Sequence, residues 1–321
     1  MTPAAPDTIN LLWANFENEG KGDPKLRRDF YALVRSLEPH IFGRGEMQGT
    51  AANGKAGLHA AEEALAPPGQ PLLRPRGWLG PSAVSDNRTA IFLRPDVFVP
   101  VNEWEHGDPW GIPPTNLTVR LVQYPGDPDC RREICVAAAH HHYASPTARQ
   151  REAEELTKLA DKRDTRDRTG ECPNGRPREA VVFEDANGFP ADRLDGDVEL
   201  PDFDAIPDKR HRVHRTVKAA DGTYIPDCES DRTLRRAGLE DIARHLAATD
   251  EANRARYLAP TTQGYPDQGG PGRIDRVYTT DGILPAVIDL RVISLKGLSD
   301  HDAVYVQLSR RRLVQSLTPT S

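Results

Sequence analysis

Hydrophobic positions along this chain recur at two periods, and the switches between them mark its elements. Residues 8–16 (TINLLWANF) are nearly continuously apolar between polar turns, as a buried strand requires. Residues 24–37 (PKLRRDFYALVRSL) change to helical spacing, with Pro24 suited to a first turn. A second strand is expected over 40–47 and a second helix over 54–65. Strands follow at 88–99, 117–124 and 133–140. Residues 146–159 (PTARQREAEELTKL) predict a helix opening after Ser145 as N-cap. Another strand spans 180–183. From 188 to about 231 the chain is polar and without period, which reads as a long loop or insertion. A helix over 234–247 and strands at 273–278, 286–294 and 303–308 complete the pattern. No internal repeat is visible. This order of strands and helices indicates an α/β protein with a mixed sheet system.

Composition changes that picture little. The 321 residues fit one domain, 1–321, because no break separates two cores. Hydrophobic residues at 37% and 28 prolines indicate a globular chain with long loops. The net charge of -6 argues only weakly against a nucleic-acid partner, since a basic groove can sit in an acidic whole. No signal peptide is visible and no apolar run approaches ~20 residues, so the expectation is a cytoplasmic protein without membrane insertion. Cys130, Cys135, Cys172 and Cys228 lack CxxC pairing and read as thiols, with a Cys172–Cys228 bridge an alternative for an exported protein. Oligomeric state is not legible.

The chemistry sits at predicted strand ends, where scaffolds place reactive groups. Alternation puts Ile9, Leu11, Trp13, Asn15 and Glu17 on one side, so a polar pair ends an apolar face. Glu46 ends the second strand. Ile134, Val136, Ala138 and His140 share a face, while His141 turns the other way. His140, His141 and His142 therefore cannot all reach one zinc ion from a regular strand. Val181, Phe183 and Asp185 share a face, with Asn187 two residues on, so acid and amide can be presented together. Asp275 in PGRIDRVY and the pair Asp300–His301 in LSDHDAV close the series. Each group alone reads as solvated; together they do not.

In this order the groups resemble the endonuclease/exonuclease/phosphatase superfamily, over about residues 10–306. Its W-N strand end, metal-binding Glu, H-L strand end, G-D-F-N turn, R-I-D-Y strand and S-D-H are matched by six segments here. They are Trp13-Ala14-Asn15, Glu46, His140-His141, Glu184-Asp185-Ala186-Asn187, Arg273-Ile274-Asp275-Arg276 and Ser299-Asp300-His301. The resemblance implies a four-layer sandwich, two packed mixed β-sheets flanked by helices. It implies Mg²⁺ or Mn²⁺ held by Glu46 with Asn15 and Asp300, and Glu17 as an outer contact. Asp185 would orient or activate water, and Asn187 would hold phosphate or nucleophile. His301, oriented by Asp275, would be base or phosphate contact, and His140 would bind phosphate and protonate the leaving oxygen. Mg²⁺ suits such carboxylate ligands and keeps several waters.

Four positions depart from the family pattern: Glu184 for Gly, Ala186 for an aromatic, His141 for Leu, and Asn87 for the Glu that precedes Arg in the secreted deoxyribonuclease branch. Glu184, pointing away from Asp185, implies altered packing or a substrate contact. The expected activity is metal-dependent hydrolysis of a phosphate ester, first a phosphodiester in nucleic acid or a nucleotide. The alternatives are a small or lipid phosphoester, or a repurposed member with a binding role. The basic stretch 209–218 (KRHRVHRTVK) could dock a polyanion.

Overall fold

The structure, a computed structural model, describes residues 5–81, 86–106, 110–128, 130, 132–164 and 175–318. One six-stranded sheet holds β1 (Thr8–Asn15), β2 (Ile41–Gly45), β3 (Arg76–Leu79), β4 (Ala90–Leu93), β15 (Val287–Ile293) and β16 (Ala303–Ser309), in the order β15-β16-β1-β2-β4-β3. A second holds β5 (Phe98–Glu103), β6 (Thr115–Leu121), β7 (Ile134–His140), β10 (Glu179–Asp185), β13 (Leu239–Asp241) and β14 (Asp275–Thr280), in the order β13-β14-β10-β7-β6-β5. Two short ribbons lie outside them, β8 (Arg163–Asp164) with β9 (Arg176–Pro177) and β11 (Thr216–Lys218) with β12 (Tyr224–Pro226). The helices are α1 (Pro24–Ser36), α2 (Ala52–Leu65), α3 (Pro146–Thr157), α4 (Lys209–Arg215), α5 (Glu229–Arg236), α6 (Ile242–Thr249), α7 (Arg254–Tyr257) and α8 (Arg310–Leu317). None is long and apolar enough to cross a membrane.

Strand alternation builds the layers. Odd-numbered Ile9, Leu11 and Trp13 of β1 face the other sheet and pack in one core with Val136, Ala138, Val181 and Phe183. Even-numbered Leu12 and Ala14 face outward onto Phe30 and Val34 of α1 and Leu58 of α2. On the far side, Cys135, Ala137, Ala180 and Val182 pack on Ala153 and Leu156 of α3 and Leu234 of α5. The molecule is thus helix, sheet, sheet, helix, the expected sandwich. Gly43 permits the close approach of the sheets, because a Cβ there would meet Phe183 Cγ at 2.8 Å.

Several stretches differ from expectation, among them the single strand expected over 88–99, which is β4 of one sheet and β5 of the other. The helix expected over 234–247 is interrupted: α5 ends at Arg236, Gly238 follows with a left-handed φ of 84°, and β13 intervenes before Asp241 caps α6. The stretch 188–231 carries α4, a hairpin and its own apolar cluster of Phe189, Ala191, Phe203, Ile206 and Cys228. Strand β3 and helix α8 were not anticipated. Cys228 is buried and donates to the Pro190 carbonyl at 3.5 Å, while Cys172 lies outside the described residues.

Candidate functional site

Two parallel pairings bring the polar ends of four strands to one edge. β1 runs parallel to β2, with Asn15 opposite Gly45, and β10 runs parallel to β7, with Asp185 opposite His140. Antiparallel β14 starts where β10 ends and sets Asp275 opposite Asp185. His301 arrives just before antiparallel β16. Glu46 turns inward at the end of β2 with a φ of 58°. Asn15, Glu46, His140, Asp185, Asn187, Asp275, Asp300 and His301 therefore converge on one end of the sandwich.

Asn15, fully buried, bridges the sheets: its Nδ2 donates to Glu46 Oε1 and to Asp185 Oδ2, each at 3.1 Å. Its Oδ1 faces Gly45, so ligation of a metal by that oxygen requires the amide to turn over. Glu46 Oε2 also accepts from the Asn18 amide at 2.7 Å. His140 Nε2 stands 3.4 Å from Glu46 Oε1 and 3.5 Å from Asp185 Oδ2. Asp185 Oδ1 accepts from the Asn187 amide at 3.0 Å, and Asn187 Nδ2 is tied to the His141 carbonyl at 3.0 Å. His301 Nδ1 meets Asp275 Oδ2 at 2.7 Å, and its Nε2 lies 3.9 Å from Asp185 Oδ2. The Asp300 carboxylate accepts from the Ser299 hydroxyl at 3.4 Å, and its carbonyl accepts from the Thr262 hydroxyl at 3.0 Å.

Electrostatics divide the site. Burial would lower His140 and His301, yet the carboxylates facing them raise them to about 9 and about 10, Asp185 and Glu46 for the first and Asp275 and Asp185 for the second. Burial would raise Glu46, but His140 and the amides of Asn18 and Asn15 hold it well below the usual carboxylate range. Asp185 likewise stays low despite burial, through His140, His301 and Arg215. Asp300 goes the other way: burial raises it, and Glu17 and Glu46 repel its charge.

The histidine run divides as alternation requires. His141 points to the opposite side, buried between Glu184 Oε2 at 3.1 Å and Glu152 Oε2 at 3.4 Å, and Arg276 Nη2 reaches Glu184 at 3.3 Å. Two departures from the family pattern, His141 and Glu184, are thus one packing feature, and Glu184 makes no approach to the site. Among the described residues, the group of acids and histidines close enough to hold a metal is Asp185, Asp275 and His301, whose ligand atoms lie within 4.8 Å of one another. Within it, His301 Nδ1 and Asp275 Oδ2 are already hydrogen-bonded to each other. Sequence reading missed three positions. Trp13 Nε1 donates to Asp275 Oδ1 at 2.8 Å, a role its shared face with Asn15 could have signalled. The Thr261 hydroxyl accepts from the Asp275 amide at 2.9 Å. Arg215 of α4 acts on Asp185 from across the site, and nothing in its sequence context distinguishes it from its basic neighbours.

No protein-family model and no curated protein matches the sequence. Solved structures match the fold over nearly its whole length. AP endonuclease LMAP from Leishmania major shares 13% identity, with 95% of this chain and 88% of that one covered at a TM-score of 0.59. An endonuclease/exonuclease/phosphatase family protein from Bacteroides thetaiotaomicron shares 16%, covering 94% of each chain at 0.56. D. rerio TDP2 complexed with a single-strand DNA product shares 10%, covering 94% of this chain and 99% of that one at 0.54. The fold is that of the endonuclease/exonuclease/phosphatase superfamily. At such identities the superfamily fold carries no substrate with it, and function has to be argued from the site.

Proposed function

We propose that this protein hydrolyses a phosphate ester with the help of a divalent cation, Mg²⁺ or Mn²⁺, and that the ester is a phosphodiester in nucleic acid or a nucleotide. The observation that carries the reading is one edge where two histidines, an aspartate and a pair of metal-suited carboxylates face one another. Fold neighbours support the nucleic-acid choice, since they include AP endonucleases and a TDP2 complex with a DNA product. A mannosyl-6-phosphatase from Bacteroides thetaiotaomicron among them keeps a small phosphoester as the second reading.

The donor set fits a hard cation. Glu46 is kept ionised, and Asp300 is a half-buried carboxyl repelled by Glu17 and Glu46, so positive charge between them relieves an uncompensated cost. Glu46 and Asp300 would hold the ion, which when bound neutralises charge developing on the phosphoryl oxygens. Asp185, fixed by the Asn187 amide and by Asn15 Nδ2, orients the attacking water and receives its proton. Because His301 and His140 are raised well above neutrality, they serve as donors: His301 to a phosphoryl oxygen, His140 to the leaving oxygen. Asp275, itself held by Trp13, fixes the His301 ring.

The test is hydrolysis of plasmid DNA, RNA, a dinucleotide and a phosphomonoester, with and without EDTA. EDTA-sensitive cleavage of one class is expected, and Asp185→Ala and His301→Ala should abolish it with the circular dichroism spectrum unchanged. Silence of the folded protein on all four, with Mg²⁺ or Mn²⁺ added, would sink the reading, and near-wild-type turnover by either variant would sink the residue assignment.

A further inference from the structure

The basic stretch 209–218 forms α4 and the first strand of the hairpin beside the site, and its arginines are not equivalent. Arg210 is exposed and pairs with Asp208 at 3.4 Å. Arg212 donates to the carbonyls of Asp204 at 2.8 Å and Ile206 at 2.9 Å. Arg215 has no side-chain hydrogen bond or ion-pair partner among the described residues, although it is only partly exposed. It lines a narrow cleft of ≈ 80 Å³ together with Phe189, His211, Tyr265, Asp300 and His301.

The backbone carrying Arg215 is held firmly. Asp227 N donates to the Arg215 carbonyl at 3.0 Å. The fully buried Arg149 donates to Asp227 at 2.7 Å and to the His142 carbonyl at 2.8 Å, and it also bonds the His214 carbonyl. This hub joins α3, the turn after β7 and the end of α4, so Arg215 is placed by the same scaffold that places His140. Burial lowers its guanidinium to about 10, against the opposing pull of Asp185, so the charge is present at neutral pH. A partly desolvated guanidinium with no partner is costly, and its planar fork matches phosphoryl oxygens. The cleft is well below the ~300 Å³ at which drug-sized ligand sites begin, so a phosphoryl group suits it and a nucleoside does not.

We propose that Arg215 is a substrate-binding residue whose guanidinium contacts non-bridging phosphoryl oxygens in the cleft beside His301. The ligand chemistry rests on the phosphoesterase reading, and two phosphates could supply it: the reacting one or its neighbour in a chain.

The experiment measures binding of inorganic phosphate to the full chain by calorimetry, alongside steady-state kinetics with Mg²⁺. Arg215→Gln should weaken phosphate roughly 10- to 100-fold, the range of a hydrogen bond to a charged group. Arg215→Lys should recover part of the loss, and Arg210→Gln, which removes equal charge outside the cleft, should change nothing. A raised KM on bis(p-nitrophenyl) phosphate, which has a single phosphorus, assigns the contact to the reacting phosphate. A raised KM confined to an oligonucleotide assigns it to a neighbouring one. Unchanged phosphate affinity in a folded Arg215→Gln variant overturns the proposal while leaving hydrolysis intact. If the wild-type chain hydrolyses nothing, Arg215-dependent phosphate binding still upholds the cleft as an anion site.

Discussion

Asp275 is buried beneath the site, yet it governs the charge of the ring above it. Its Oδ2 accepts from His301 Nδ1 and its Oδ1 from Trp13 Nε1, so the carboxylate and the imidazole are both fixed. Asp275→Asn keeps the shape and removes the charge that raises His301 to about 10. The ring then titrates nearer the ordinary ~6.5 and loses its proton within the working range. Below pH 6 both proteins carry the cation and should differ little; above it the variant falls away, by about 30-fold in kcat at pH 8, where a ring titrating near ~6.5 is almost wholly neutral. Parallel pH profiles for the two proteins would show that Asp275 acts by some route other than the His301 charge. At this scale the sequence was informative because strand alternation ends each apolar face on the residue that matters, as with Trp13 before Asn15 and Phe183 before Asp185. Arg215 was illegible for the opposite reason: it lies in an aperiodic stretch, and only the tertiary fold separates it from Arg210 and Arg212.

At the scale of elements, the ends of β7 and β10 are joined to the middle of α3 by a buried ionic cluster. His141 lies between Glu184 of β10 and Glu152 of α3, and Arg276 of β14 closes it. Removing one member strands its partners, so His141→Leu and Glu184→Gly should each cost about 3 kcal/mol. Leu and Gly are the residues of the family pattern, and the double variant should fall short of the summed cost by about 1–3 kcal/mol. Strict additivity in urea unfolding would mean the two departures are independent. Burial would lower His141, but Glu184 and Glu152 raise it to about 9. A raised group gives its full stability below the unfolded value of ~6.5 and loses it as pH rises through the folded one. Wild-type stability should therefore decline from pH 6.5 past 9, more steeply than that of His141→Leu. The elements that sequence reading misplaced have local causes. Gly238 breaks an apolar run whose spacing continues across it, and the stretch 188–231 folds on a small cluster of its own that no period announces.

For the whole molecule, the site is a seam between two sheets with different endowments. Asn15, Glu46, Asp300 and His301 come from the sheet containing β1, whereas His140, Asp185 and Asp275 come from the sheet containing β10. Asn15 with Asp185, His140 with Glu46 and His301 with Asp275 cross the seam. The strands could be located from apolar runs, but the pairing of two sheets face to face could not. It came from the resemblance, because periodicity says which side of a strand is buried and not what buries it. A cation at Glu46 and Asp300 would bind the folded seam and not the open chain, so it should raise thermal stability. At ~100 times its dissociation constant the gain is about 2.7 kcal/mol, a rise of several degrees in Tm for a chain of this size. Glu46→Gln, which keeps the side-chain shape, should remove most of the Mg²⁺-induced rise without needing any substrate. An equal rise in wild type and variant would place the cation elsewhere, with the Asp185–Asp275–His301 group the next to test.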